Sequence, residues 1–257
     1  MSPTVYRVDA VGVELPARGG SRAVLADVSF DVGAGEVVGV VGRSGVGKTT
    51  LLRVLGGLLQ PTTGTVTLAG QLVTGPPADV VMVFQDYGNA LLPWRTVARN
   101  AALGLEGRTG RDERRVKVAR ALRMVGLDDR SGEYPWQLSG GMAQRVQIAR
   151  ALALEPKTLL MDEPFGALDA ITKAALQDVL LDVLCQTGAT VVFVTHDLDE
   201  AIYLSDRVLV LSGNPGCITL AVDTEIPRPR DQLATRELPR YLRVRHLLGQ
   251  ALRGGDA

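Results

Sequence analysis

The residues Gly42-Arg43-Ser44-Gly45-Val46-Gly47-Lys48-Thr49 set glycines ahead of a lysine and a hydroxyl. Glycines let successive backbone N–H groups converge on one anion, lysine adds a point charge, and a threonine hydroxyl is a hard oxygen donor suited to Mg²⁺. That combination fits the phosphates of a nucleotide. Downstream, Asp162 and Glu163 follow the apolar run Thr158-Leu159-Leu160-Met161. Asp162 could hold Mg²⁺, often through its water shell, and Glu163 could polarise an attacking water as a general base. His196, one of two histidines in the chain, closes the run Val191-Val192-Phe193-Val194-Thr195. It could donate to a terminal phosphate and hold the water in place; a satisfied histidine at a strand end is the alternative. Gln85 ends another apolar run and could touch the metal or the water, or simply begin a polar loop. Ser139-Gly140-Gly141 precede a further helix, as a second anion site or as an ordinary serine cap.

These residues need a frame. Val37-Val38-Gly39-Val40-Val41 is short, β-branched and apolar, so it predicts a buried strand before the glycine loop, and a helix begins near Lys48 and runs to Leu55. Strands are also expected at Val5–Leu15, Val24–Val32, Thr65–Ala69, Val80–Phe84, Thr158–Asp162, Thr190–Val194, Arg207–Leu211 and Cys217–Val222. From Thr96 to about Leu127 the pattern turns helical, with Val118, Ala121, Leu122 and Val125 as an apolar stripe and Gly126 as a C-terminal stop. Helices are expected from Gly141 to about Leu154 and from Ile171 to about Gln186. Strands alternating with helices predict a parallel sheet, whose ligand sites lie beyond the carboxyl ends of the strands. The glycine loop, Asp162-Glu163 and His196 each stand at such an end. After Pro227-Arg228-Pro229-Arg230 the composition turns basic, and Tyr241, Val244, Leu248 and Leu252 share one face of a C-terminal helix.

Bulk properties narrow the classes. Lys+Arg and Asp+Glu both number 28, so the charge balance points to no nucleic-acid partner. Cys185 and Cys217 lie far apart and fit no metal spacing, which suits two unpaired thiols in a reducing compartment. Met1-Ser2-Pro3-Thr4 has no basic and apolar leader pattern, and no apolar run reaches the ~18 residues of a membrane span.

In combination, the chain resembles ATP-binding-cassette ATPases over nearly its whole length. The resemblance rests on the Walker A loop Gly42 to Thr49, on Gln85, and on the signature Leu138-Ser139-Gly140-Gly141. It rests equally on the Walker B run ending Asp162-Glu163, the Ala167-Leu168-Asp169 turn and His196. It implies an α/β P-loop NTPase fold spanning residues 1–257: a RecA-like parallel sheet core, an N-terminal antiparallel β subdomain, and an α-helical signature subdomain at about 88–156. A basic tail follows from about residue 227. The implied cofactors are ATP and Mg²⁺. Nucleotide contacts fall to Gly42, Arg43, Ser44, Gly45, Val46, Gly47, Lys48, Thr49, Thr50, Gln85, Ser139, Gly140 and Gly141. The metal falls to Thr49, Gln85 and Asp162, and catalysis to Glu163, His196 and Lys48.

The resemblance further implies that two copies pair head-to-tail, so that Ser139 serves the partner's nucleotide. Leu91-Leu92-Pro93-Trp94-Arg95-Thr96-Val97, Tyr134-Pro135-Trp136-Gln137 and Met142 narrow it to importer cassettes for nitrate, sulfonates, taurine and related small solutes. Implied partners are integral-membrane permease subunits and, indirectly, a solute-binding protein, at the cytoplasmic face of the membrane. One position departs: Leu15 stands where family members usually stack an aromatic ring on adenine, and Tyr6 lies too early in that strand to replace it. Two rivals remain, a soluble non-transport cassette and a binding-only regulatory cassette. The first would be expected to carry a coiled-coil insertion or paired cassettes, and the second to lack the base or the histidine.

Overall fold

A computed structural model describes residues 3–17, 19–85, 90–166 and 168–254. Two long strands, β1 (Thr4–Ala17) and β2 (Gly20–Gly33), pair antiparallel. The chain then turns through Gly35, at φ 72°, into the fully buried β3 (Val37–Val41). The glycine loop follows, and α1 (Lys48–Leu55) begins at the lysine itself. β4 (Thr63–Leu68) returns to pair with β1, and the short β5 (Gln71–Leu72) completes a four-stranded antiparallel sheet in the order β2-β1-β4-β5.

β6 (Val80–Val83) opens the other half of the chain. The helical stretch expected between residues 96 and 127 is broken: α2 (Val97–Ala101), a 3₁₀ turn at Leu103–Leu105, then α3 (Arg111–Met124). The reason is local, since Gly104 and Gly107, the latter at φ 76°, interrupt the run. Val118, Ala121, Leu122 and Val125 are all buried, as their spacing predicts, and Gly126 leaves the helix at φ 65°. α4 (Gly140–Ala153) packs on α2 and α3. The expected lower edge of this helical segment, near residue 88, lies outside the described residues, as do Met1-Ser2 and the last three residues of the tail.

The remainder alternates: β7 (Thr158–Asp162), α5 (Ala170–Thr187), β8 (Thr190–Thr195), α6 (Leu198–Leu204), β9 (Arg207–Ser212) and β10 (Cys217–Asp223), then α7 (Ala234–Glu237) and α8 (Pro239–Gly254). The six-stranded sheet runs β10-β9-β3-β8-β7-β6, parallel throughout except for β10 at one edge. β5, α6 and α7 had no counterpart in the sequence reading. α8 buries Tyr241, Val244 and Leu248, and Leu252 packs against the same core, as their common face predicts.

The central strands divide two cores with a period of two. Val37 and Val41 of β3, Leu159 and Met161 of β7, and Val191 and Phe193 of β8 enter the core shared with α2–α6. Val38 and Val40, Leu160, and Val192 and Val194 point to the other face, against α1 and the antiparallel sheet. Burial on both faces explains why these strands read as continuous apolar runs rather than alternating ones. Among the described residues, no helix is long and apolar enough to cross a membrane. Leu122 is 1% exposed in the helical core. Leu122→Ala should cost about 2–5 kcal/mol through lost burial and the cavity left behind, read as a lower midpoint in urea unfolding.

Candidate active site

The glycine loop is closely packed on three sides. A β-carbon on Gly42 would fall 2.4 Å from the Leu211 carbonyl oxygen, and one on Gly47 would fall 2.7 Å from Leu25 Cδ2. Gly216, in the turn before β10, lies so close to Val46 that its own added β-carbon would meet the Val46 carbonyl oxygen at 2.2 Å. The turn that carries Gly216 is tied to β2 by Ala26 N to Gly216 O (3.0 Å) and Gly216 N to Val24 O (2.9 Å). Gly45 and Gly47 adopt φ of 82° and 111°, conformations that favour glycine over any residue with a side chain. Sequence spacing identified the loop, and the glycine–proline run at 213–216 reads as a turn; nothing in the sequence placed that turn against the loop.

Lys48 is buried, and its ammonium donates to the carbonyl oxygens of Gly42 (2.6 Å) and Arg43 (3.0 Å). Burial lowers its pKa, opposed by the charges of Glu163 and Asp162. A cation hydrogen-bonded to two neutral carbonyls fits an incoming phosphate, which supplies the counter-charge. Asp162 is buried at the end of β7, and burial pushes its carboxyl up, against the pull of a hydrogen bond from Thr49. A buried carboxylate beside a hydroxyl is an oxygen donor set of the kind Mg²⁺ takes, and a dication would favour the ionised form. Thr50, the next residue of α1, is half-buried.

Glu163 leaves the strand at φ 46° while its N–H still bonds the Val194 carbonyl at 3.0 Å. One carboxylate oxygen gathers two side chains from other strands. Gln85 Nε2 donates to Glu163 Oε2 at 3.2 Å, and His196 Nδ1 lies 3.1 Å from the same atom. With its amide nitrogen donating to Glu163, Gln85 is left with an amide oxygen, a donor of the type Mg²⁺ takes. The structure therefore brings together Lys48, Thr49, Asp162, Glu163, Gln85 and His196.

It does not bring Ser139, Gly140 and Gly141 to this cluster. Ser139 caps α4, its hydroxyl accepting from Met142 N at 3.3 Å, and both Ser139 and Gly140 are exposed. A β-carbon on Gly140 would meet nothing within 4 Å, so the fold itself gives no reason for glycine there. The cavity of about 460 Å³ beside the glycine loop is lined by Arg22, Val24, Arg43 to Val46, Leu211 to Asn214 and Leu252, and by no residue of α4. A larger cavity of about 850 Å³ opens at the other ends of the strands, beside Thr158 and Thr190, away from all the residues above. Tyr6 is wholly buried and donates to the Leu55 carbonyl at 3.0 Å, so it has no route to an adenine ring. Of the turn after Glu163, Ala167 lies outside the described residues, and Asp169 caps α5.

Comparison with known proteins follows the same lines. The family profile described as ABC transporter matches residues 25–166. The nitrate import ATP-binding protein NrtC of Synechococcus elongatus is 46% identical over 91% of this chain, and the chain spans only 36% of that longer protein. The aliphatic sulfonates import ATP-binding protein SsuB 2 of Burkholderia cenocepacia is 48% identical over 83% of this chain and 77% of its own. Among solved structures, the ATP-binding cassette MJ0796, a dimer in a post-hydrolysis state bound to ADP and Pi, superposes with a TM-score of 0.77. That match is 31% identical and covers 85% of this chain and 98% of the other.

Gly47→Ala forces a side chain into φ 111° and onto Leu25. At about 1–3 kcal/mol of backbone strain, the variant should melt earlier and bind nucleoside triphosphate about ten-fold or more weakly, measured by nucleotide titration.

Proposed function

We propose a function from one premise: the chain belongs to the ABC transporter family. It is the ATP-binding and ATP-hydrolysing subunit of an importer that energises uptake of a small solute such as nitrate, a sulfonate or taurine. The relatives named for nitrate and sulfonate import support the solute class. The observation that carries the catalytic reading is the meeting of Gln85 and His196 on one oxygen of Glu163, beside Asp162 and the glycine loop.

In this reading Gly42 to Thr50 wrap the phosphates with backbone N–H groups, and Lys48 leaves its two carbonyls for the terminal phosphates. Thr49, Asp162 and Gln85 would hold Mg²⁺, which would neutralise charge on the phosphate oxygens. Glu163 takes the proton of the attacking water as its oxygen bonds to the γ-phosphorus and the bond to ADP breaks. His196 and Gln85 fix the orientation of that carboxylate. A proton on Nδ1 satisfies the contact with Glu163 and leaves Nε2 to meet phosphate or water.

Ser139, Gly140 and Gly141 act on the nucleotide of a second copy, paired head-to-tail. Exposed Ser139 and the uncrowded Gly140 support this, as does the dimeric state of the similar cassette. Such a pairing is isologous, each surface meeting the other's counterpart. ATP favours the closed pair and hydrolysis reopens it, and that difference in affinity drives the permease. The helical segment at about 88–156 forms the signature lobe, and the exposed Trp94 on it faces the permease subunits at the cytoplasmic side of the membrane. A solute-binding protein delivers cargo to that permease.

Glu163→Gln should keep ATP binding and lower steady-state turnover about 10²–10⁴-fold. It should run as an ATP-dependent dimer in size-exclusion chromatography. Undiminished hydrolysis would remove Glu163 as the base. Wild-type ATP binding with no turnover, alone or with membrane partners, would select the binding-only cassette.

A further inference from the structure

His196 is about two-thirds exposed, so packing around its ring does not hold it against Glu163. What holds it is the chain on either side. Thr195, which precedes it, is buried and accepts from Asp197 N at 3.0 Å. Asp197, which follows it, caps α6: Oδ1 accepts from Asp199 N at 2.9 Å and Glu200 N at 3.2 Å. The other oxygen of Asp197 meets Lys173 Nζ at 2.7 Å, and Lys173 also reaches Glu200 Oε2 at 3.3 Å. Glu200 is 3% exposed, so Lys173 is the cation between two crowded carboxylates. Burial pushes the Glu200 carboxyl up to about 7, with Asp197 adding to the rise and Lys173 opposing it.

Lys173 stands on the first turn of α5, and its own N–H bonds the Asp169 carbonyl at 2.8 Å. Asp169 closes the turn that begins at Glu163, where Gly166 N bonds Glu163 O at 3.2 Å and Leu168 N bonds Phe165 O at 3.2 Å. One ammonium therefore ties the segment that leaves β7 with Glu163 to the segment that leaves β8 with His196.

We propose that Lys173 is a positioning residue for hydrolysis: by clamping Asp197 and Glu200 to the start of α5, it keeps His196 Nδ1 on Glu163 Oε2. Without this cation the tie from α5 to Asp197 and Glu200 is lost, the turn from Thr195 to Glu200 relaxes, and His196 moves with it. Lys173 lies outside the phosphate loop, so nucleotide affinity is not part of its task. The inference rests on Glu163 and His196 acting as proposed above. Nothing in the sequence paired Asp197 and Glu200 with Lys173.

The test is steady-state ATP hydrolysis by the purified chain. Lys173→Met should lower kcat about ten-fold or more, since displacement of a catalytic group by an ångström costs up to about 10²-fold. KM for ATP should stay within about two-fold. Lys173→Arg, which keeps the charge, should recover most of kcat. A purely structural strut would lower the melting temperature and leave kcat per folded molecule unchanged, and that result overturns the proposal. So does a parallel rise in KM, or a folded Lys173→Arg with the defect of Lys173→Met. If Lys173→Met does not fold, Asp197→Asn serves, because its amide oxygen still caps α6 while the charge facing Lys173 is gone. It should show the same loss confined to kcat, and wild-type kcat there overturns the proposal. If wild type turns over, Glu163→Gln does not, and Lys173→Met does at full rate, only this inference falls. If Glu163→Gln hydrolyses ATP normally, the reading beneath it falls as well.

Discussion

The register of the parallel sheet governs this molecule. Val41 of β3 pairs with Thr195 of β8, Asp162 of β7 pairs with Val194, and Val83 of β6 pairs with Met161. Extending each ladder past its last pair sets Gly42 beside His196, Glu163 beside Thr195, and Gln85 beside Glu163. Four segments far apart in the chain thus end side by side, and a slip of one residue in any strand would turn its functional side chain to the other face. Valine-rich strands buried on both faces hold that register, because a slip would exchange residues between two packed cores.

The glycine loop adds a second constraint. Its glycines have different jobs: Gly42 and Gly47 let Leu211 and Leu25 approach, while Gly45 and Gly47 take up positive φ. The loop is thereby preshaped before any phosphate arrives, and the ordering entropy is met during folding rather than on binding. Lys48 waits on two carbonyls of the same loop, a weaker arrangement than an ion pair and one that an anion can replace. By contrast, Gly140 is uncrowded and Ser139 caps its helix. Under the proposed head-to-tail pairing, such a surface would complete the site of the partner copy.

The cluster around Lys173 shows the same economy on a smaller scale. The groups proposed for catalysis stand on strand ends, where backbone pairing stops and positional precision would decay within a residue or two. Glu163 retains a bond to Val194, and His196 is bracketed by Thr195 and Asp197. Side chains on the following helices take over from the sheet at the point where the sheet runs out.

Much of this was legible in the sequence, and the exceptions have physical causes. Strands β3, β7 and β8 and helices α1, α4, α5 and α8 were readable because each has a sustained apolar run or a clear face. α6 was missed because it is short and Ala201, Ile202, Tyr203 and Leu204 are all buried, which leaves no helical period to see. β5 has two residues, and α7 four, too few to carry a pattern. The sequence by itself determined the chemistry on offer: which residues could bind phosphate, take a metal or accept a proton, and that they sit at strand ends. Tertiary structure alone decided their company. Gln85 and His196 share one oxygen of Glu163, Lys173 clamps Asp197, and Gly216 backs the loop, because such contacts depend on strand order and register between segments tens of residues apart.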